Sequence, residues 1–170
     1  MATSTPEPGG PGRAGPESRA VAALRALGVA HATSRHGPAG SLAEAAALRG
    51  LEPRDIVKTM VVRRAAGDHV FVLLPGDREI SWPKLRAVLG VNRLSLPAAA
   101  EALEVTGYPR GTITPFGAAR PLPVVADAAI VGRPVSMGGG EPGLAIALAA
   151  DDVIAVLGAA VADISDPGAA

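Results

Sequence analysis

The chain has 170 residues, 48% of them apolar, so it can bury one core and is most simply a single domain. Its formal net charge of zero gives no bulk indication of nucleic-acid or membrane binding, although a local arginine patch could still bind phosphates. The absence of cysteine excludes disulfides, thiolate nucleophiles and cysteine-based metal sites.

The beginning of the chain differs in composition from the rest. Residues 1–17 are rich in proline, glycine and serine and contain no apolar run, which predicts a disordered leader rather than a signal peptide. No stretch reaches the roughly 18 apolar residues of a membrane span. We therefore expect a soluble, cytoplasmic protein whose folded domain covers residues 18–168.

The predicted elements begin with two helices. An apolar stripe with helical spacing starts at Ser18 and stops at Gly28. Ser41 and Glu44 form a capping box at the start of a second helix, which ends at Gly50. The later elements, in chain order, are a hairpin over 55–64 and 69–74, a helix from 81 to 90, a strand over 91–96, a helix over 98–105, strands over 123–126 and 129–137, a helix over 150–157 and a strand over 161–164. Short helices alternating irregularly with strands predict an α/β fold of the α+β type, one compact domain with a mixed sheet surrounded by helices.

The glycine loop, Thr106–Gly117, is the most informative segment. It holds three glycines, two prolines and the only tyrosine of the chain, and this composition excludes a regular helix or a central strand. We predict a fixed loop with bare backbone N–H groups, because glycine lets another molecule approach the main chain. A tight structural connection is the alternative interpretation.

Lys58, one of two lysines, lies in a predicted strand with apolar residues on both faces. The two-residue period of a strand puts Lys58 on one face with Ile56 and Met60, and Val57 and Val61 on the other. The lysine must either extend to an edge or line a polar pocket. In a pocket it would be a positive charge for a phosphate or a carbonyl oxygen.

Other motifs are weaker. Residues 138–143 match G-x-G-x-x-G after a strand, but Pro142 interrupts the turn and too little chain follows for a doubly wound sheet. We interpret this segment as a second glycine loop beside the same pocket. The three histidines show neither metal-ligand spacing nor a nearby nucleophile, so we expect no metal and no cofactor. An enzyme without a triad or a metal would catalyse an easy reaction or use a catalytic group of its substrate.

Four segments occur in order: Ile56–Met60, Thr106–Gly117, Leu122–Asp127 and Gly143–Ala149. Together they resemble the YbaK/ProX family of aminoacyl-tRNA editing deacylases, which also occurs as an insertion domain of bacterial prolyl-tRNA synthetases. The resemblance spans about residues 20–166. It implies a mixed α/β sheet and hydrolysis of amino acids wrongly attached to tRNA, chiefly tRNA(Pro).

The resemblance also implies site residues. Lys58 matches the essential lysine of the family, which binds the terminal adenosine phosphate or the aminoacyl end. Gly111 begins the G-x-x-x-P loop, whose backbone holds the aminoacyl carbonyl, and we take Lys58 and Gly111 as the catalytic residues. The implied substrate contacts are Ser34, Thr59, Tyr108, Arg110, Thr112, Ile113, Thr114, Pro115, Gly139, Gly140 and Ala145.

The expected function is hydrolysis of the ester in mischarged aminoacyl-tRNA, namely Cys-tRNA(Pro) or another small amino acid on tRNA(Pro). The attacking group would be water or a substrate group such as the ribose 2′-hydroxyl or a cysteinyl thiol. The expected partners are the 3′ acceptor end of the tRNA and prolyl-tRNA synthetase. Cysteine-specific relatives carry a tyrosine at Ser34 and an aspartate at Ala145, so the amino acid is open. The alternatives are a non-catalytic module that binds aminoacyl-tRNA or a synthetase, and a nucleotide-binding oxidoreductase based on the glycine match alone.

Overall fold

The computed structural model describes residues 17–168, so the predicted leader lies outside the described residues except for Glu17. The helices of this range are α1 (Arg19–Ala26), α2 (Leu42–Leu48), α3 (Trp82–Leu89), α4 (Ala99–Thr106) and α5 (Ala150–Leu157). The strands are β1 (Ala32–Arg35), β2 (Val57–Ala65), β3 (Asp68–Pro75), β4 (Arg78–Ile80), β5 (Val124–Asp127), β6 (Pro134–Gly138), β7 (Leu144–Ala149), β8 (Ala160–Ala162) and β9 (Ser165–Pro167).

The described strands form three small sheets. The central sheet has the order β2-β3-β5-β8 and is mixed, because β2 and β3 are antiparallel while β5 runs parallel to both β3 and β8. An antiparallel sheet has the order β1-β7-β6, and β4 pairs with β9. The two larger sheets meet at a parallel bridge between Ile56 and Ser136. The predicted α+β fold with a mixed sheet and short helices is confirmed.

Apolar side chains cover both faces of the central sheet. Val57 and Val61 of β2 belong to one cluster, which also includes side chains of α1, α5 and the β1-β7-β6 sheet. Val62 belongs to a second cluster, which includes Leu85 of α3. The alternation along β2 follows the two-residue period of a strand. Its predicted burial on both faces is therefore confirmed, and it places Lys58 on the side of the second cluster.

Local sequence signals account for several element ends. Ser18 accepts a hydrogen bond from the N–H of Val21, and Ser41 accepts one from the N–H of Glu44, as expected for caps of α1 and α2. The Glu44 carboxylate accepts a hydrogen bond from the N–H of Gly40, whereas a capping box would have it accept from the N–H of Ser41. The two helices thus start where the sequence predicts.

Two predicted strands differ from the structure. Residues 91–96 form no strand, because only Ser95 pairs with the sheet, where it and Arg63 each donate a backbone hydrogen bond to the other. The predicted strand over 129–137 is divided: Ala128–Ile130 form a 3-10 turn, and β6 begins at Pro134. Gly132, with φ of 74°, reverses the chain between the two parts. Four strands, β1, β4, β7 and β9, were not predicted.

Candidate active site

A cavity of about 670 Å³ lies between α2, β2 and the glycine loop. This volume is in the range of sites for small molecules. The lining residues are Ala39, Ser41, Leu42, Ala45, Arg49, Ile56, Val57, Lys58, Thr59, Met60, Val61, Leu96, Pro97, Ala102, Arg110, Gly111, Ile113 and Gly138. The wall is mostly apolar, with a few polar groups at fixed positions.

Strand β2 contributes two polar groups to the cavity. Lys58 is half-buried, and its ammonium donates a hydrogen bond to the backbone carbonyl of Arg78 at 2.5 Å. Burial lowers the pKa of Lys58, while the nearby carboxylates of Glu79 and Asp77 act in the opposite direction. The Oγ1 of Thr59 is buried and has no hydrogen-bond partner in the described part of the chain. Lys58 makes one hydrogen bond within residues 17–168, which leaves two ammonium hydrogens for a ligand.

The glycine loop turns sharply at Gly111, which has a φ of +86° and is exposed. The N–H of Thr112 donates to the Pro109 carbonyl at 3.1 Å and so closes this turn. In residues 17–168, the N–H groups of Gly111 and Ile113 have no acceptor. Both residues line the cavity. The loop can therefore offer backbone donors to a bound oxygen.

The buried side chain of Tyr108 stabilises the conformation of the glycine loop. Its hydroxyl donates to the Phe116 carbonyl at 2.7 Å. The guanidinium of Arg19 lies 4.6 Å from the centre of the ring. A Cβ at Gly140 would lie 2.8 Å from the ring, so this glycine lets the second glycine loop pack on Tyr108. Burial raises the pKa of Tyr108, which keeps its hydroxyl a donor.

The structure brings five of the predicted site residues to the cavity wall: Lys58, Thr59, Arg110, Gly111 and Ile113. The other predicted contacts do not line the cavity in the described chain: Ser34, Tyr108, Thr112, Thr114, Pro115, Gly139, Gly140 and Ala145. Several of these are buried inside the two glycine loops, whose shape they maintain. Sequence spacing identified the loops but could not tell inward from outward side chains.

Ser34 and Ala145, where the sequence departs from cysteine-specific relatives, are direct partners across β1 and β7. Ala145 is also paired with Gly138 of β6, which lines the cavity. Directly paired residues point to the same face of a sheet. Ser34 and Ala145 therefore lie in one row with Gly138, on the sheet face that borders the cavity.

Arg49, at the C-terminal end of α2, lines the cavity but was not predicted. Its Nη1 donates to the Ser136 hydroxyl at 2.9 Å, and its Nη2 contacts the His36 Nε2 at 3.1 Å. Its Nε is buried without an acceptor among residues 17–168. Burial lowers the pKa of Arg49. The sequence signal that could have revealed it is an arginine at the end of a helix made almost entirely of alanine and leucine.

A family model described as the aminoacyl-tRNA editing domain matches residues 36–156, a range that includes every residue lining the cavity. The chain belongs to the aminoacyl-tRNA editing domain family. This confirms the resemblance found in the sequence and supports an editing deacylase in general.

Similar proteins agree with this family. The chain is 36% identical over 92 residues to the proline–tRNA ligase of Pelobacter propionicus, covering 54% of the chain and 16% of the ligase. It is 43% identical over 74 residues to that of Thermosipho africanus, covering 44% and 13%. The chain thus spans about a sixth or less of the length of these curated relatives.

Two solved structures resemble almost the whole described fold. The hypothetical protein APE2540 is 31% identical with a TM-score of 0.78, covering 84% of this chain and 96% of that one. A candidate trans-editing enzyme for prolyl tRNA synthetase is 28% identical with a TM-score of 0.77, covering 87% and 95%. In the described range, no group of three metal-ligating side chains occurs and no helix is long and apolar enough to cross a membrane.

Proposed function

We propose that this protein hydrolyses the ester bond of mischarged aminoacyl-tRNA, with a small amino acid on tRNA(Pro) as its substrate. One observation carries the proposal. A half-buried lysine, Lys58, shares a cavity with the turn at Gly111, whose N–H has no acceptor in the described chain. Similarity to segments of proline–tRNA ligases supports tRNA(Pro) as the tRNA, and prolyl-tRNA synthetase as a partner.

The proposed reaction begins when water adds through oxygen to the ester carbonyl carbon and gives up a proton. The carbonyl oxygen takes up the negative charge and accepts hydrogen bonds from the N–H groups of Gly111 and Ile113. Each donor contributes on the order of 3 kcal/mol when it is aimed at the developing oxyanion. The ribose 3′-oxygen then leaves and takes up the proton that the attacking water gave up. Lys58 holds the acceptor end in place, which lowers the barrier by positioning.

A second concave surface supports a nucleic-acid substrate. The arginine groove is about 550 Å³. It is lined by Arg63 and Arg64, which pair with Glu101 and Asp68, and by Arg86 and Arg93, which form no ion pair in the described chain. The segment 92–97 runs from this groove into the cavity, because residues 92–95 line the groove and Leu96 and Pro97 line the cavity. Arginine side chains are suited to phosphate oxygens. We infer that the acceptor stem leaves the cavity along this groove, so a chain of zero net charge still offers a local site for phosphates.

The amino acid is proposed from the departures at Ser34 and Ala145. Without the aspartate of cysteine-specific relatives, the site lacks a carboxylate partner for the substrate at that position. Selection among small amino acids then depends on shape, where one methylene is worth about 1–3 kcal/mol. We expect alanyl and cysteinyl groups on tRNA(Pro) to be hydrolysed and prolyl groups to be largely spared.

The test is a comparison of single-turnover deacylation rates for Ala-, Cys-, Ser- and Pro-tRNA(Pro). A cysteine rate more than about a hundredfold above the alanine rate would exceed what shape gives and would favour thiol-assisted, cysteine-only editing. Tight binding with no turnover of any of the four would favour a non-catalytic binding module.

Lys58→Ala provides the matched test of the site, with Lys84→Ala as control. These are the only lysines, and Lys84 lies outside the cavity, where its ammonium pairs with Asp163 and Asp166. We expect Lys58→Ala to reduce kcat/KM at least a hundredfold on loss of positioning, and Lys84→Ala to keep the wild-type value. Equal activity of the two variants would remove Lys58 from the site.

A further inference from the structure

Arg49 is a half-buried cation whose hydrogen bonds within residues 17–168 go only to neutral groups. The Ser136 hydroxyl accepts from Nη1. His36 contacts the Gly37 carbonyl through Nδ1 at 2.8 Å and Arg49 through Nε2 at 3.1 Å. A carbonyl only accepts and a guanidinium only donates, so the proton sits on Nδ1 and the ring is neutral. No carboxylate of the described chain lies within ion-pair distance of Arg49.

Three other partly buried arginines, Arg63, Arg64 and Arg133, pair with carboxylates, whereas Arg78 donates to the hydroxyl and the carbonyl of Ser165. Arg63, Arg64 and Arg133 each place a guanidinium nitrogen 2.7–2.9 Å from a carboxylate oxygen. Arg49 makes no such contact in residues 17–168, although its Nε is fully withdrawn from solvent. A buried charge is costly unless an opposite charge compensates it. Residues 17–168 supply no opposite charge within ion-pair distance at this position.

The surrounding cavity also has positive charges in its wall without negative ones. Its described lining contains three cationic side chains, Arg49, Lys58 and Arg110, and no aspartate or glutamate. A ligand that brings a negative charge would therefore be favoured over a neutral one. The planar fork of a guanidinium matches the two oxygens of a carboxylate or a phosphate.

We propose that Arg49 is an oxyanion-binding residue of the cavity and determines which ligand is retained there. It pairs with an anionic group of the aminoacyl end. This group is the phosphate of the terminal nucleotide where the amino acid is small and neutral, as in the proposed function, or the side-chain carboxylate where the amino acid is acidic. The identity of the ligand rests on the proposed function. Ser136 and His36 orient the guanidinium, and its remaining N–H groups bind the anion.

Calorimetric binding with two pairs of probes tests the proposal and separates the two sources. The first pair is adenosine 5′-monophosphate and adenosine, which differ by the phosphate. The second pair is 3′-amino-3′-deoxyadenosine linked through a stable amide to glutamate or to glutamine, which differ by a carboxylate. The proteins are the wild type, Arg49→Leu, Arg49→Lys and the control Arg54→Leu. Arg54 is exposed and lies outside the cavity. Arg54→Leu therefore changes the net charge as Arg49→Leu does but leaves the cavity wall unchanged.

We expect the wild type to prefer the anionic member of one pair at least tenfold, as charge-assisted hydrogen bonds provide. Arg49→Leu should abolish this preference, Arg49→Lys should retain part of it, and Arg54→Leu should keep it. A phosphate preference identifies the nucleotide as the source, and a glutamyl preference identifies the side chain.

The proposal is overturned if the wild type shows no tenfold preference in either pair, or if Arg49→Leu keeps it. It is also overturned if Arg49→Leu weakens all four probes equally while lowering the melting temperature, which would make Arg49 a structural link between α2 and β6. If Arg49→Leu does not fold, Arg49→Lys and Ser136→Ala replace it in the binding measurements. An unchanged preference for the anionic probe in both variants would contradict binding by an oriented guanidinium. These measurements need no deacylation. If the protein proved not to be a deacylase, the binding results would still stand. If it deacylates tRNA but shows no Arg49-dependent preference for an anion, only the inference about Arg49 is contradicted.

Discussion

Tyr108→Phe removes one oxygen and tests whether a single buried hydrogen bond holds the glycine loop. The hydroxyl donates to the Phe116 carbonyl at 2.7 Å, and the side chain is 3% exposed. Phenylalanine keeps the ring against Arg19 and Gly140, so the substitution isolates the bond. Leaving a buried acceptor unpaired costs about 1–3 kcal/mol. For a domain of this size, each kcal/mol lowers the melting temperature by about 2–4 °C. We therefore expect a decrease of about 2–12 °C.

The assay is thermal unfolding followed by circular dichroism, with urea unfolding as an independent measure of the free energy of unfolding. Deacylation should also slow, because Gly111 and Ile113 lie between the two bonded residues and lose their fixed position. A melting temperature within about 1 °C of the wild type, together with an unchanged deacylation rate, would refute the role of this bond. A lower melting temperature with full activity would show that the loop is held but is not used in the reaction.

Three substitutions give further tests. A Cβ at Gly111 would meet no atom within 4 Å, so Gly111→Ala should lower the free energy of unfolding by only about 1–2 kcal/mol, because of the positive φ. The same change should lower the deacylation rate at least tenfold, because it shifts the N–H donors. Gly117→Ala adds a contact of 2.6 Å with the Arg19 carbonyl and should lose more stability than Gly111→Ala in thermal unfolding; equal losses would contradict the geometry. The hydrogen bond from His69 lowers the pKa of Glu101, so the folded state binds fewer protons than the unfolded one and stability should fall as the pH drops through this range. Glu101→Gln should flatten the dependence of the melting temperature on pH between about pH 6 and about pH 3, and an unchanged slope would assign it to other groups.

The sequence determined the elements whose signals are local. Helix α5 occupies residues 150–157 as predicted, because its apolar periodicity and the following Gly158 act within one short segment. The β2–β3 hairpin follows from two strongly apolar runs separated by Ala66 and Gly67, and Lys58 stands out because lysine is rare in this chain. The glycine loop was predicted for the same reason, since glycine and proline restrict the backbone wherever they occur.

Only the tertiary structure decided what these elements face. Strand β1 has four exposed residues, so it exists through hydrogen bonds to β7, more than a hundred residues away in the sequence, and no local pattern reveals it. Tyr108 turns inward, although its loop was expected to offer it to a substrate. Arg49 reaches the cavity because α2 packs beside β6 and Ser136 fixes the guanidinium there. Propensity and periodicity are properties of neighbouring residues, whereas the charge balance of a cavity depends on segments that meet only when the chain folds.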